Sequence, residues 1–138
     1  MRSAFIADEV RVSIDCDAAI VSARQKGREL ASQCGFPSTD LAVVATAISE
    51  LARNIVRYAA RGEVIIRLVD DHGKRGIEVV AADDGPGILD IALAMQDGYS
   101  TSGGLGLGLP GTRRLMDEFE ITSDFGKGTT VTVRRWRR

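Results

Sequence analysis

The sequence is poor in residue types that several protein classes require. It has two cysteines, Cys16 and Cys34, whose spacing matches neither a redox CxxC pair nor a zinc-ligand pattern. The single histidine, His72, lies in a turn-like segment of aspartate, glycine and lysine. A disulfide-stabilised secreted domain and a metal centre built on imidazole are therefore not expected.

Long apolar runs and an excess charge are also missing. No segment approaches the roughly 18 apolar residues of a membrane span, and residues 1–10 lack the apolar centre of a signal peptide. The net charge is -1, from 18 Lys and Arg against 19 Asp and Glu, which excludes a strong overall attraction to nucleic acid. We therefore expect a cytoplasmic protein with no membrane or nucleic-acid partner.

The composition that is present fits one globular domain over residues 1–138. The chain is 44% hydrophobic and 27% charged, proportions that support a sizeable core without disulfides. The last five residues, 134–138, carry four arginines around one tryptophan. We interpret them as a solvated chain end, with a patch for an anionic partner as the alternative.

Residue spacing predicts the order strand, helix, helix, strand, strand, loop, helix, strand, strand. Predicted strands cover residues 9–14, 63–69, 77–82, 119–123 and 129–133. Predicted helices run from a cap at Asp15 or Asp17 to residue 34, from 38 to 60, and from about 110 to 118. Because the strands come in hairpins, we expect an α+β two-layer sandwich, a mixed but mainly antiparallel sheet with helices on one face.

Two polar residues stand four apart on the long predicted helix. Glu50 and Asn54 therefore lie on one face of it, beside the apolar stripe. A carboxylate can accept the proton of an attacking hydroxyl, and an amide oxygen is a hard ligand suited to Mg²⁺. Taken alone, the pair is more typical of a solvated helix edge.

Two aspartates and two glycines follow one another closely where the strand 77–82 ends. The segment is Asp83, Asp84, Gly85, Pro86, Gly87, which reads as a plain turn or as a site for a flat ligand. In the second case one aspartate accepts a hydrogen bond from an exocyclic amine such as that of adenine. The glycines would let the ring approach the backbone.

A glycine run over residues 103–108 precedes the third predicted helix. Freed backbone amides at a helix N-terminus bind phosphate, although a flexible hinge has the same composition. Gly106, Gly108 and Gly111 also match GxGxxG, but no strand precedes them and too few residues follow for a Rossmann sheet. A late Gly-Lys-Gly-Thr, residues 126–129, is most simply a hairpin turn.

Taken in chain order, these four signals resemble the nucleotide-binding boxes of the GHKL ATPases, which have the Bergerat fold. Within that superfamily the chain resembles the small anti-sigma-factor type serine/threonine kinases, and most closely the switch kinases of the stressosome. The resemblance rests on AISELARNIVRYA from Ala47, the short lid LAMQDGYSTSGGLGLGLPG, and RRLMDEFEI from Arg113.

The resemblance implies a role for each motif residue. Glu50 is implied to be the catalytic base for the acceptor hydroxyl, and Asn54 to coordinate Mg²⁺ on the ATP phosphates. Asp83 is implied to contact the adenine amino group, with Thr129 at the adenine edge. The implied cofactor-binding residues are Asn54, Asp83, Gly85, Gly87, Gly104, Gly106, Gly108, Arg113 and Thr129.

The resemblance also implies a function. The chain would use Mg-ATP to phosphorylate a STAS-domain antagonist, with a STAS-containing co-antagonist as a further partner. Once released, it would bind and activate a PP2C-type phosphatase in a partner-switching stress response. The alternatives are an anti-sigma factor kinase that binds a sigma factor directly, and a nucleotide-gated binding module without transfer, which Glu50 disfavours. A histidine-kinase fragment is disfavoured because no dimerisation helix precedes residue 9 and no helix offers a phospho-acceptor histidine.

Overall fold

The computed structural model describes residues 5–85, 108–124 and 126–138. Along the chain these form β1 (Phe5–Ile14), α1 (Asp17–Cys34), α2 (Ser38–Tyr58), β2 (Gly62–Asp71), β3 (Lys74–Asp83), α3 (Gly108–Leu115), β4 (Glu118–Asp124) and β5 (Gly128–Trp136). Each predicted strand is present and extends beyond its predicted bounds. Among these elements no helix has the length and hydropathy needed to cross a bilayer.

The strands form one five-stranded sheet in the order β1-β2-β3-β5-β4. All four pairings are antiparallel, so the expected α+β layering is confirmed while the expected mixed character of the sheet is wrong for the described strands. The two pairs that are not hairpins, β1–β2 and β3–β5, are antiparallel as well. Two pairs are hairpins, and the β2–β3 turn places His72 and Gly73 at φ 56° and 85°, the left-handed geometry of tight hairpin turns.

The two long helices supply the second layer. Four residues of α2 at three- and four-residue spacing are at most 2% exposed: Val44, Ile48, Leu51 and Ile55. They lie in one core cluster with the inward side chains of the sheet, and α2 packs on β1, β2 and β3. The helices approach closely at Gly27, where an added Cβ would lie 2.1 Å from the Ile48 Cδ1 atom. A side chain at position 27 would therefore require the buried Ile48 side chain to move.

Two predicted helix ends are wrong. Neither Asp15 nor Asp17 caps α1, because the N-cap is Cys16, which makes no side-chain capping bond. The third helix ends at Leu115 rather than at residue 118. Its apolar spacing continues, but the backbone N–H of Asp117 donates to the carbonyl of Arg134 over 2.8 Å. That bond moves the chain out of the helix and into the sheet.

A row of alternating charges crosses the sheet on the face away from the helices, one residue per strand. Its members are Glu9, Arg67, Glu78, Arg134 and Glu118, each directly opposite the next in the strand register. N···O distances are 2.7 Å from Arg67 to Glu9, 3.0 Å from Arg67 to Glu78, and 3.2 Å from Arg134 to Glu118. Hydrogen bonds from Arg67 and Arg11 hold the pKa of Glu9 below its usual value.

The centre of this charge row is buried. Glu78 is 4% exposed and Arg134 is 5% exposed, and the Arg134 Nε atom donates to the Glu78 Oε2 atom over 2.7 Å. A desolvated pair of this kind tolerates the loss of one partner poorly, because the remaining charge stays buried. A change in the register of two strands would therefore separate opposite charges of this row.

The C-terminal arginines are not the solvated chain end that the composition predicts. Arg134 and Trp136 are buried in β5, and the Arg135 guanidinium donates to Asp40 over 2.6 Å and to the Leu115 carbonyl over 2.7 Å. Further along, the Arg137 guanidinium donates to the Cys34 carbonyl over 3.1 Å. The expectation fails because β5 continues past residue 133 and its arginines meet carboxylates and helix-end carbonyls.

Replacing Arg134 with methionine should lower the free energy of unfolding by about 3 kcal/mol, at the low end for a broken buried pair because Arg67 still contacts Glu78. The matched control is Arg75→Met. Arg75 is 62% exposed and 3.7 Å from Asp70, so its loss should cost less than about 1 kcal/mol. Urea denaturation measures both variants, and equal losses would contradict the assigned role of the buried pair.

Candidate functional site

Two of the four sequence motifs meet at one end of the sheet, where β3 finishes between its two neighbours. Asp83 is the last residue of β3 and lies opposite Gly62 in β2 and Thr129 in β5. The antiparallel register thus brings the aspartate of the first glycine motif beside the threonine of the last one, although 46 residues separate them in sequence.

The Asp83 carboxylate is fixed by the backbone. Its Oδ1 atom accepts a hydrogen bond from the Gly85 N–H over 3.0 Å and from the Thr129 N–H over 3.3 Å. Within the described ranges, its Oδ2 atom accepts no hydrogen bond. One oxygen therefore orients the half-buried side chain, and the other remains available to a donor from outside.

Three glycines allow the chain to converge around Asp83. A Cβ at Gly128 would lie 2.0 Å from the Asp83 carbonyl oxygen, and one at Gly62 would lie 2.4 Å from the backbone of β3. On the helix side, a Cβ at Gly85 would lie 2.6 Å from the Cβ atom of Ala59, just past the end of α2. Any side chain at these positions would push the strands or the helix apart.

A serine that the sequence motifs do not include supports Thr129. The Ser123 Oγ atom in β4 lies 2.8 Å from the Thr129 Oγ1 atom and 3.2 Å from the Gly128 carbonyl oxygen, to which it donates. Sequence spacing gives no signal for this residue, because only the β4–β5 pairing sets Ser123 opposite Thr129.

A second cluster forms between α2 and α3. Glu50 is 7% exposed, and its Oε2 atom accepts a hydrogen bond from the backbone N–H of Gly108, the first residue of α3, over 3.3 Å. Its Oε1 atom accepts one from the Arg53 Nη1 atom over 2.5 Å. The structure therefore brings the α2 motif to the end of the glycine run, and Arg53 is a member that the sequence reasoning missed.

The first turn of α3 is anchored at Gly108. The residue has a φ of 67°, and its carbonyl accepts a hydrogen bond over 2.9 Å from the hydroxyl of Thr112, which is fully buried. The N-terminus of α3 is thus held against Glu50. Arg113 is exposed in the last turn of α3, at the opposite end from Gly108. Gly87, Gly104 and Gly106 lie outside the described residues.

Asn54 lies one turn after Glu50 on α2 and is half-buried. No group of three or more His, Cys, Asp or Glu side chains able to hold a metal occurs in ranges 5–85, 108–124 and 126–138. A single amide oxygen fits Mg²⁺ only when other ligands come from elsewhere, and Mg²⁺ commonly completes its shell with phosphate and water. The donor set therefore fits an ion that arrives with a polyphosphate.

Substituting Gly128 with alanine should be far more costly than substituting Gly126 in the same turn. Both residues have a positive φ, 98° and 78°, so both variants lose about 1 kcal/mol or more to backbone strain. Only Gly128 also meets a backbone atom, whereas nothing lies within 4 Å of a Cβ at Gly126. We expect Gly128→Ala to lose about 3 kcal/mol or more of unfolding free energy; similar losses in both would argue against the close approach.

Comparisons with known proteins agree with this geometry. The family described as the histidine kinase-like ATPase domain matches residues 12–135. The serine/threonine-protein kinase RsbT of Bacillus subtilis is 53% identical over 129 residues, which cover 94% of this chain and 96% of that protein. The anti-sigma F factor of Caldanaerobacter subterraneus is 34% identical over 103 residues, covering 70% and 71%.

A solved structure shares the fold. The RsbU and RsbW domains of Rv1364c from Mycobacterium tuberculosis superpose with a TM-score of 0.60 at 22% identity, over 95% of this chain and 33% of that one. The fold class expected from the motifs is confirmed. The expected enzyme class, a serine/threonine-protein kinase, is that of the relative matching nearly the whole chain. The chain belongs to the family of histidine kinase-like ATPase domains, the GHKL type that its motifs resemble.

Proposed function

We propose that this chain is a switch-type protein kinase that transfers the γ-phosphoryl group of Mg-ATP to a serine or threonine of a STAS-domain antagonist. The observation that carries the proposal is Glu50. Its carboxylate is 7% exposed and faces the N-terminus of a helix, where backbone N–H groups favour a phosphate. A base beside a phosphate site is what transfer to a hydroxyl requires.

The adenine end of the proposed site is Asp83. Its Oδ2 atom would accept a hydrogen bond from the exocyclic amine, while Oδ1 keeps the side chain in place through Gly85 and Thr129. The hydroxyl of Thr129, supported by Ser123, would lie at the edge of the base. The support for this assignment is that the two carboxylate oxygens differ in their contacts. Backbone N–H groups hold Oδ1, whereas Oδ2 accepts no hydrogen bond within the described residues.

The phosphate end lies between α2 and α3. The backbone N–H groups at the start of α3, beginning at Gly108, carry the positive end of the helix dipole and favour a polyanion. Asn54 would hold Mg²⁺ through its amide oxygen. When bound, that ion would neutralise charge that develops on the phosphate oxygens. Arg113 and the glycines at 104 and 106 remain predicted members of this end, and Gly87 remains a predicted member of the adenine end.

The proposed reaction assigns Glu50 one proton. The acceptor hydroxyl loses its proton to the Glu50 carboxylate as its oxygen bonds to the γ-phosphorus, and the bond from that phosphorus to the β,γ-bridging oxygen breaks. ADP leaves with the electron pair. Because the transition state is loose, correct placement of the base and neutralisation of charge matter more than covalent help from the protein.

The relatives suggest the pathway in which such transfer would act. One is a serine/threonine-protein kinase RsbT, and others are anti-sigma F factors. We propose a cytoplasmic partner-switching kinase whose substrate is a STAS-domain antagonist, with a STAS-containing co-antagonist as a further partner, and which activates a PP2C-type phosphatase after release. Direct binding of a sigma factor is the second candidate, favoured by the 34% identity to an anti-sigma F factor.

The first experiment is transfer of labelled γ-phosphate from Mg-ATP to a candidate STAS protein, run beside nucleotide binding. Glu50→Ala should keep ATP affinity and slow transfer by about 10² to 10⁴-fold, the contribution of a positioned base. Glu29→Ala, an exposed carboxylate on α1, is the matched control and should transfer normally. Tight binding without transfer by the unmodified chain would favour the binding module, and unchanged turnover in Glu50→Ala would remove it as the base.

Asp83→Asn should weaken ATP binding by roughly 10 to 100-fold, because the amide nitrogen can face the adenine amine as a second donor. Its amide oxygen can still accept the bonds from Gly85 and Thr129, so the fold should persist. The control is Asp84→Asn, since Asp84 is the exposed neighbour. Calorimetric titration with ATP measures both. Full affinity in the Asp83 variant would show that the adenine assignment is wrong.

A further inference from the structure

Arg53 contacts the carboxylate that the proposed function uses as a base. The Arg53 Nη1 atom lies 2.5 Å from the Glu50 Oε1 atom, and the two residues are three apart on α2. Their side chains are 35% and 10% exposed, respectively. The pair therefore lies at the wall of the site, with the carboxylate inside and the guanidinium reaching in from the edge.

This contact differs from an ordinary surface pair on a helix. Exposed pairs at this spacing contribute little to stability, because water screens them and mobile side chains must be ordered. Glu50 has lost nearly all its contact with solvent, so a cation beside it takes the place of water as a hydrogen-bond donor to the carboxylate. Arg53 is the one cationic side chain that reaches Glu50 in the part of the chain described here.

The two carboxylate oxygens of Glu50 have different partners. Arg53 holds Oε1, and the Gly108 N–H at the start of α3 contacts Oε2 over the longer distance of 3.3 Å. Holding Oε1 fixes the rotation of the carboxylate, so that Oε2 faces the helix N-terminus. In enzymes that activate a hydroxyl, the base is commonly oriented by a third group in this way.

We propose that Arg53 is a positioning residue for phosphoryl transfer: it holds Glu50 so that the Oε2 atom faces the acceptor hydroxyl beside the γ-phosphate. The inference rests on the proposed function and deepens it. Arg53 acts through Glu50 and not on the nucleotide. Its loss therefore lowers the rate of transfer, leaves ATP affinity unchanged, and has no further effect once Glu50 is gone.

The test compares Arg53→Met, Arg53→Lys and Arg57→Met in labelled-phosphate transfer and in ATP titration. Arg53→Met should lower kcat by about 10 to 100-fold, the usual effect of a misplaced reacting group, with the ATP Kd within about twofold. Arg53→Lys should stay within about threefold of the unmodified rate, because the contact uses a single nitrogen that an ammonium can replace. Arg57→Met, on the next turn of α2, should transfer normally.

A double-mutant cycle separates positioning from direct action on phosphate. In the Glu50→Ala background, Arg53→Met should cause no further loss of transfer. The same fractional loss in both backgrounds, or a weakened ATP Kd in Arg53→Met alone, would overturn the proposal and place the guanidinium on the phosphates. An unchanged kcat in Arg53→Met would overturn it as well.

The positioning role can also be tested spectroscopically, without an assay of phosphoryl transfer. The amide proton of Gly108 reports its hydrogen bond to Glu50, so its chemical shift should move in Arg53→Met and stay in Arg53→Lys and Arg57→Met. An unchanged Gly108 chemical shift in all three variants would overturn the proposal. This holds even if Arg53→Met is too unstable for kinetics and only Arg53→Lys is assayed. If the unmodified chain transfers no phosphate to any STAS protein, both proposals fail. If it does and Arg53→Met transfers equally well, only this one fails.

Discussion

The buried ion pair between Glu78 and Arg134 is the constraint on which the rest of the sheet depends. It lies at the middle of a row of alternating charges that crosses every strand, with each member directly opposite the next. A slip of one residue between two strands would move their side chains to the opposite face, leaving a charge without its partner. The same register sets Gly62 and Thr129 beside Asp83, so the ion pair indirectly aligns the site at the strand ends.

Helix α2 combines packing and chemistry in one element. Its apolar stripe fills the core, and Glu50 is buried on the same helix with 7% of its surface exposed. Such burial is tolerated because Arg53 and the Gly108 N–H supply both oxygens with donors. The buried position of Glu50 therefore goes together with core packing, and its carboxylate contacts one neighbouring cation and one helix end.

The sequence predicted what depends on local spacing. The apolar residues of α2 recur at three and four positions, and the alternation within each hairpin marks the strands, so both were found. Contacts between distant segments were not. The bond from Asp117 to Arg134 that ends α3 and the position of Ser123 beside Thr129 arise from strand pairing. Arg135 and Arg137 are held by contacts between β5 and the helices. Arg53 had a local signal, an opposite charge three residues from Glu50, but spacing alone cannot distinguish a buried pair from an exposed one.

The proposed nucleotide would join the two layers of the fold. Its adenine end would rest on the sheet at Asp83, and its phosphates on the helices at Asn54 and Gly108. The end of α2 packs closely on this edge of the sheet. A Cβ at Gly62 would lie 3.0 Å from Ile55, and one at Gly85 would lie 2.6 Å from Ala59. Interiors packed this closely transmit displacement rather than absorb it. Nucleotide contacts at the sheet edge would therefore displace α2, the helix that carries Glu50. Recognition of adenine would in this way affect the placement of the proposed proton acceptor.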